Sequence, residues 1–296
     1  MLGCLCSRVR VIACAALAVA GVSGAPSPYL SPGSVVADRA GKRLYVACET
    51  AGAILVFDTG DEKVVARYTL EQVRRIALSP DGKRLFATAG EVTGLLHEID
   101  LATGAHLRSL PAGHTPEALT VSPDGRTLYY CNRFARDDQK DIHALDLASG
   151  RVTHSAKAVR EPAALCLSKD GKTLWVGNHL PIMPANSQHV FAVLNVFDSA
   201  TLAPVATLDL PAGAFAVRDA VMSPDGRYCY VTHSIGRFTV PTTHLDRGWI
   251  NTSAVSVFEV ASRTYVNAVL LDDTVRGAAN PWGVAVSSDG RWLCVN

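Results

Sequence analysis

The octapeptide Ser79-Pro80-Asp81-Gly82-Lys83-Arg84-Leu85-Phe86 recurs almost unchanged at Ser122–Tyr129, as Ser-Pro-Asp-Gly-Arg-Thr-Leu-Tyr, and at Ser223–Tyr228, as Ser-Pro-Asp-Gly-Arg-Tyr. Worn copies stand at Asp38–Tyr45, Ser168–Trp175 and Ser287–Trp292. One punctuation mark repeated along a chain defines a repeat architecture, and this narrows the possible folds more than any other feature here.

The chemistry of the mark is that of a hairpin turn. Pro presets φ, Asp accepts a local backbone hydrogen bond, and Gly supplies the residue with φ > 0. The pattern fits a type I turn followed by a left-handed glycine. Apolar runs flank it, such as Ile76-Ala77-Leu78 and Leu85-Phe86-Ala87, so each copy joins two antiparallel strands. A third apolar run follows and ends in an acid: Asp58, Asp100, Asp146, Asp198 or Glu259. That acid is placed to cap a second turn through backbone N–H groups. A less apolar fourth run completes the unit, as in Val64-Val65-Ala66-Arg67-Tyr68. Four strands per repeat make the blade of a β-propeller. The expected fold is all-β, with five full four-stranded antiparallel blades and a truncated sixth.

Tyr230-Val231-Thr232-His233 differs in its last residue alone from the second-strand signature of the YVTN-type β-propeller family, which the chain resembles. Tyr45-Val46-Ala47-Cys48, Tyr129-Tyr130-Cys131-Asn132 and Trp175-Val176-Gly177-Asn178 are looser copies. The resemblance covers residues 34–296. It implies an exported WD40-like propeller, with seven blades in the full-length protein. Some members of the family precede a c-type cytochrome or di-haem peroxidase-like domain. Similar propellers include sugar-lactone lactonases and quinoprotein dehydrogenase subunits.

Residues 1–25 read as a secretory signal. Arg8 and Arg10 precede an apolar stretch of 12 residues, Val11–Val22, and Ser23-Gly24-Ala25 offers a cleavage site. Residues 26–33 are a lead-in. The expected location is the periplasm, cell surface or extracellular space. A net charge of +1 implies no general attraction to nucleic acid or acidic membrane, and none is expected after signal removal. The mature chain keeps Cys48, Cys131, Cys166, Cys229 and Cys294, with no Cys-x-x-Cys. They read as separately buried thiols rather than a disulfide framework.

The blades are expected at 34–71, 72–113, 114–160, 161–217 and 218–280, with the sixth from Pro281 stopping within its second strand. A propeller closes by completing its last blade, so the chain reads as incomplete at its C-terminus. The turn glycines, from Gly41 to Gly290, are spaced 41, 43, 46, 55 and 64 residues apart. A blade needs about 40 to 45. The excess falls between second and third strands: Asn132 to Asp141, His179 to His189, and His233 to Ser253. Insertions at one place in successive repeats emerge on one face, often the binding face.

That face collects the candidate ligand-binding residues. The loops contribute Arg133, His179, His233, His244, Arg247 and Trp249. The connections into the first strands add Arg75, His114, Arg218 and Trp282 at the mouth of the central channel. Arg pairs with anions and an aromatic residue can anchor a ligand. Arg74 and Glu161 read instead as links between blades. His179, His189, His233 and His244 are candidate metal or haem-iron ligands, although no short His-x-His spacing supports a site. No catalytic motif and no cofactor signature is evident.

The expected function is a ligand- or protein-binding scaffold, with a small molecule or protein on the loop face and a C-terminal haem domain as a further partner. The alternative is a propeller enzyme, lactonase-like or quinoprotein-like, with His114, His233, Arg75 and Arg218 as the available groups. A haem-binding propeller with His179 or His233 as axial ligand is the third reading.

Overall fold

A computed structural model describes residues 29–136, 138–184, 186–236, 251–272, 277 and 280–296. Every regular element among them is a β-strand. The signal segment, His244, Arg247 and Trp249 lie outside the described residues.

Five four-stranded antiparallel blades follow one another along the chain. Blade 1 comprises β1 (Pro32–Ala37), β2 (Arg43–Cys48), β3 (Ala53–Asp58) and β4 (Lys63–Thr69). Blade 2 comprises β5 (Val73–Leu78), β6 (Arg84–Ala89), β7 (Gly94–Asp100) and β8 (His106–Gly113). Blade 3 comprises β9 (Pro116–Val121), β10 (Thr127–Asn132), β11 (Ile142–Asp146) and β12 (Arg151–Ala156). Blade 4 comprises β13 (Pro162–Leu167), β14 (Thr173–Asn178), β15 (Val193–Asp198) and β16 (Pro204–Asp209). Blade 5 comprises β17 (Ala214–Met222), β18 (Tyr228–Gly236), β19 (Asn251–Glu259) and β20 (Thr264–Leu270). A two-stranded sheet follows, β21 (Val284–Val286) and β22 (Leu293–Val295). Each blade pairs its strands in sequence order, and consecutive first strands lie side by side. The fold is a β-propeller.

The repeated turn closes its own hydrogen bonds. In Ser79–Arg84 the Ser79 hydroxyl donates to Asp81 Oδ1 at 2.5 Å and accepts the Arg84 N–H at 2.9 Å. Asp81 Oδ1 also accepts the Lys83 N–H at 3.0 Å, and Gly82 has φ +70°. The same set forms at Ser122, Ser168, Ser223 and Ser287. The aspartates ending the third strands of blades 1 to 4 cap the next turn as expected, whereas Glu259 of blade 5 accepts the Ser262 hydroxyl at 2.7 Å. Asp100 Oδ1, for example, accepts N–H groups from Ala102 and Thr103 at 3.1 and 3.0 Å.

The core is divided among the gaps between blades. Tyr45, Ile54 and Val56 of blade 1 pack on Ile76, Leu85 and Ile99 of blade 2. Trp175, Leu194 and Val196 of blade 4 pack on Val217, Val231 and Phe258 of blade 5. A middle strand covered on both faces needs apolar residues on both, so alternation disappears. β6, β10 and β14 each end in five consecutive buried residues. The fourth strands β4, β12 and β16 alternate or stay exposed.

Two expected boundaries move. The start expected for blade 5 falls inside β17, which begins at Ala214. The register of β17 against β18 slips between Phe215 and Asp219, with Ala216 at φ +52°, and this irregularity makes Ala214–Val217 read as the tail of blade 4. The blade 5 insertion starts later than expected. β18 and β19 stay paired out to Gly236 and Asn251, so His233 is a strand residue. Gly213 permits the approach of the two chain segments there. It has φ +87°, accepts the Gly236 N–H at 2.8 Å, and leaves no room for a Cβ against the Gly236 carbonyl.

Candidate functional site at the channel mouth

The residues at the ends of the second strands and in the first strands converge. Arg75, in β5, points across the centre of the propeller. Its Nη1 donates to the Gly33 carbonyl at 3.1 Å and its Nη2 to the Arg218 carbonyl at 3.2 Å. One guanidinium therefore ties blades 1, 2 and 5 together. Its neighbour Arg74 bridges blades around the ring, with Glu117 and Glu91 each at 3.5 Å and Glu49 at 3.9 Å. This is the linking role expected of it.

Arg133 follows β10. Its Nε lies 3.5 Å from Glu161 Oε2 and makes no full hydrogen bond, and its guanidinium covers the Phe134 ring at 5.0 Å. The edge of the same Phe134 ring meets His114, with centroids 6.2 Å apart. His114 Nδ1 sits 2.8 Å from Thr115 Oγ1. His179 follows β14 and is buried; its Nδ1–H donates to the Val217 carbonyl at 2.9 Å. A carbonyl can only accept, so Nε2 of this ring carries the free lone pair. Burial is the main cause holding the His179 pKa below the usual histidine value, and the nearby Arg133 and Arg218 add to it.

Arg218, in β17, stacks on Trp282 with its guanidinium 4.2 Å from the ring centroid, a close cation–π contact. Burial, then Arg133, lowers its pKa, Glu117 opposes this, and Arg75 adds to the lowering. Among the described residues, no carboxylate lies within 4.0 Å of a nitrogen of Arg218 or Arg75. Beside Arg218, Asp219 accepts the N–H groups of Ala220 at 2.9 Å and Val284 at 3.1 Å. Burial raises the Asp219 pKa and Arg75 partly restores it. The mouth thus presents an arginine stacked on an indole, without a carboxylate partner among the described residues, beside a second arginine and a neutral imidazole. Such a surface suits a planar anion such as a carboxylate, bound by a guanidinium fork.

His233 does not join this group. It is fully buried in blade 5, where Nδ1–H donates to the Ser234 carbonyl at 3.3 Å and Nε2 accepts the Ser256 hydroxyl at 2.7 Å. Both nitrogens are occupied and sealed from solvent, which removes His233 as an acid–base group or axial haem ligand on the loop face. His189 is exposed on the blade 4 loop. Among the described residues, no three His, Cys, Asp or Glu side chains are grouped to hold a metal ion.

The thiols are not all separate. Cys166 of β13 and Cys229 of β18 meet across the gap between blades 4 and 5, with Sγ atoms 3.8 Å apart. Their contact and their burial raise the Cys166 pKa. Cys48 and Cys131 are buried alone, and Cys294 is exposed.

No family model matches the sequence. Hydrazine synthase subunit beta of Kuenenia stuttgartiensis is 32% identical over 79 residues, which is 27% of this chain and 20% of that protein. Antigen Lp49 of Leptospira interrogans is 31% identical over 108 residues, 32% of this chain and 24% of that one. The matches therefore span no more than about a quarter of either relative. A solved Kuenenia stuttgartiensis hydrazine synthase chain superposes with a TM-score of 0.80 at 22% identity, covering 93% of this chain and 77% of that chain. At that identity the likeness establishes the propeller fold and nothing finer.

Proposed function

We propose that this chain is an exported β-propeller acting as a binding scaffold, and that its channel mouth receives an anionic group of its ligand. The observation that carries the reading is Arg218, half-buried, stacked on Trp282 and lacking a carboxylate partner among the described residues. A guanidinium taken partly out of water favours an anion close by. Arg133 lies close enough to add a second positive charge, which selects against a cation. Two further facts support a scaffold role. One partial match is by name a subunit of a larger enzyme, and the other is an antigen. The signal-like segment at residues 1–25 supports export. Given the resemblance to propellers that precede haem domains, a c-type cytochrome domain or subunit is the protein partner of first choice.

Trp282 supplies the assay. Titrating the protein with mono- and dicarboxylates is expected to quench Trp282 fluorescence saturably. Arg218→Ala should weaken that response by about tenfold or more, the scale of one hydrogen bond to a charged group. Arg108→Ala, on the outside of blade 2, should leave it unchanged. Equal affinity in Arg218→Ala, or no carboxylate response at all, would remove the anion site.

A further inference from the structure

β7 and β8 form the outer half of blade 2, on a surface unrelated to the mouth. Their register pairs His97 with Ser109 and Glu98 with Arg108, then slips, so that Ile99 faces His106 and Leu107 is the extra residue. Successive side chains on a strand alternate faces, and one inserted residue reverses the alternation beyond it. The bulge therefore turns His106 onto the face already holding His97 and Ser109. Three polar atoms meet there. His97 Nδ1 is 3.0 Å from His106 Nε2, and Ser109 Oγ is 3.0 Å from the first and 3.1 Å from the second.

Protons can satisfy two edges of this triangle, through the Ser109 hydroxyl, but never all three. A ring nitrogen that carries a proton has no in-plane lone pair left, and a bare one has nothing to donate. If both ring nitrogens are protonated, two donors face each other. If neither is, two lone pairs do, and the Ser109 hydroxyl has one proton to share. In every neutral tautomer at least one of the three edges is no full hydrogen bond. A cation set to one side of the plane of the three atoms, at equal distance from them, can be coordinated by all three.

We propose that His97, His106 and Ser109 form a divalent transition-metal site on the outer edge of blade 2, suited to Cu²⁺ or Ni²⁺. Imidazole nitrogens suit these ions. With metal–nitrogen bonds of about 2.0–2.1 Å, edges near 3.0 Å subtend an angle of about 90° at the ion. That angle belongs to tetragonal or octahedral coordination rather than to the tetrahedron of structural zinc. His106 and Ser109 are exposed, so water can fill the remaining positions, while the buried His97 fixes one ligand in place. The neighbouring Arg108 is directed elsewhere. It pairs with Glu98 at 2.6 Å and donates to the Leu147 carbonyl.

Copper titration of the purified protein, followed by calorimetry and electron paramagnetic resonance, tests the site. The wild type should bind an equivalent of Cu²⁺ whose spectrum shows coupling to imidazole nitrogens. His106→Ala, an exposed change that spares the core, should weaken that binding by about tenfold or more. Ser109→Ala should have a smaller effect, and His189→Ala none. Copper stoichiometry and affinity unchanged in His106→Ala, or no saturable binding by the wild type, would overturn the proposal.

Discussion

Replacing Trp175 by alanine is expected to cost about 3–5 kcal/mol of stability, the usual range for emptying a buried large aromatic site. Trp175 is 1% exposed, the largest fully buried side chain among the described residues. It belongs to β14, yet its ring meets Phe258 of blade 5 edge-on, with centroids 6.5 Å apart. Its Nε1–H donates to Thr173 Oγ1 at 3.1 Å. The substitution empties the gap between two blades, where Cys166, Cys229 and Val217 also lie. Relative to a typical total of about 5–15 kcal/mol, the loss is large. The melting temperature should fall by roughly 10 °C, and Trp175→Phe should recover part of it. A melting temperature unchanged in Trp175→Ala would mean that the gap closes without the ring.

The second large effect is acid sensitivity above the carboxylate range. Burial holds the pKa of His143 and of His233 down at about 4. Both rings are used as neutral species. His143 Nε2 accepts from the Asn132 amide at 3.3 Å, and its ring stacks on Tyr130. His233 Nε2 accepts the Ser256 hydroxyl. In the unfolded chain each takes up a proton near pH 6.5, whereas the folded chain resists until about pH 4. Below pH 6.5 the unfolded state therefore binds more protons, and stability falls as pH falls towards 4. A shift of this size is worth roughly 3 kcal/mol for the deeply buried His233. Below that window the turn aspartates take over. Asp81, Asp124, Asp170, Asp225 and Asp289 have pKa values lowered first by the Ser hydroxyl of their own turn, so their contribution is present above the unfolded value and lost as pH falls through the folded one. Asp141 and Asp219, raised by burial, act in the opposite sense. Urea midpoints measured from pH 7.5 to 4.5 should hold nearly level to about pH 6.5 and decline below it. A midpoint that stays level to pH 4.5 would show that these histidines are not held neutral.

What was legible in the sequence is what the chain settles over short distances. The Ser-Pro-Asp-Gly turns satisfy their polar groups within six residues, and the capping acids within three, so their residue types can be read directly. The blade count and strand order follow from them. The channel mouth was half legible. Arg75, Arg133, His179, Arg218 and Trp282 could be picked by position. Nothing local announced that Arg75 would reach a carbonyl 143 residues away, or that Arg218 would rest on Trp282. His233 was misplaced because its strand continues past the signature to Gly236. His97 and His106 meet through a bulge, and a shift of one residue in register leaves no compositional trace. Cys166 and Cys229 touch from neighbouring blades, a pairing that offsets within a single repeat cannot reveal.

The self-contained turns also bear on how the molecule assembles. A hairpin whose corner needs no distant partner can close as soon as its residues leave the ribosome, since short loops carry the smallest entropic penalty. Blades can thus form in order of synthesis, N-terminal first. The slow remainder is the lateral docking of preformed sheets and the joining of blades 1, 2 and 5 by Arg75, which must wait until the last of them exists.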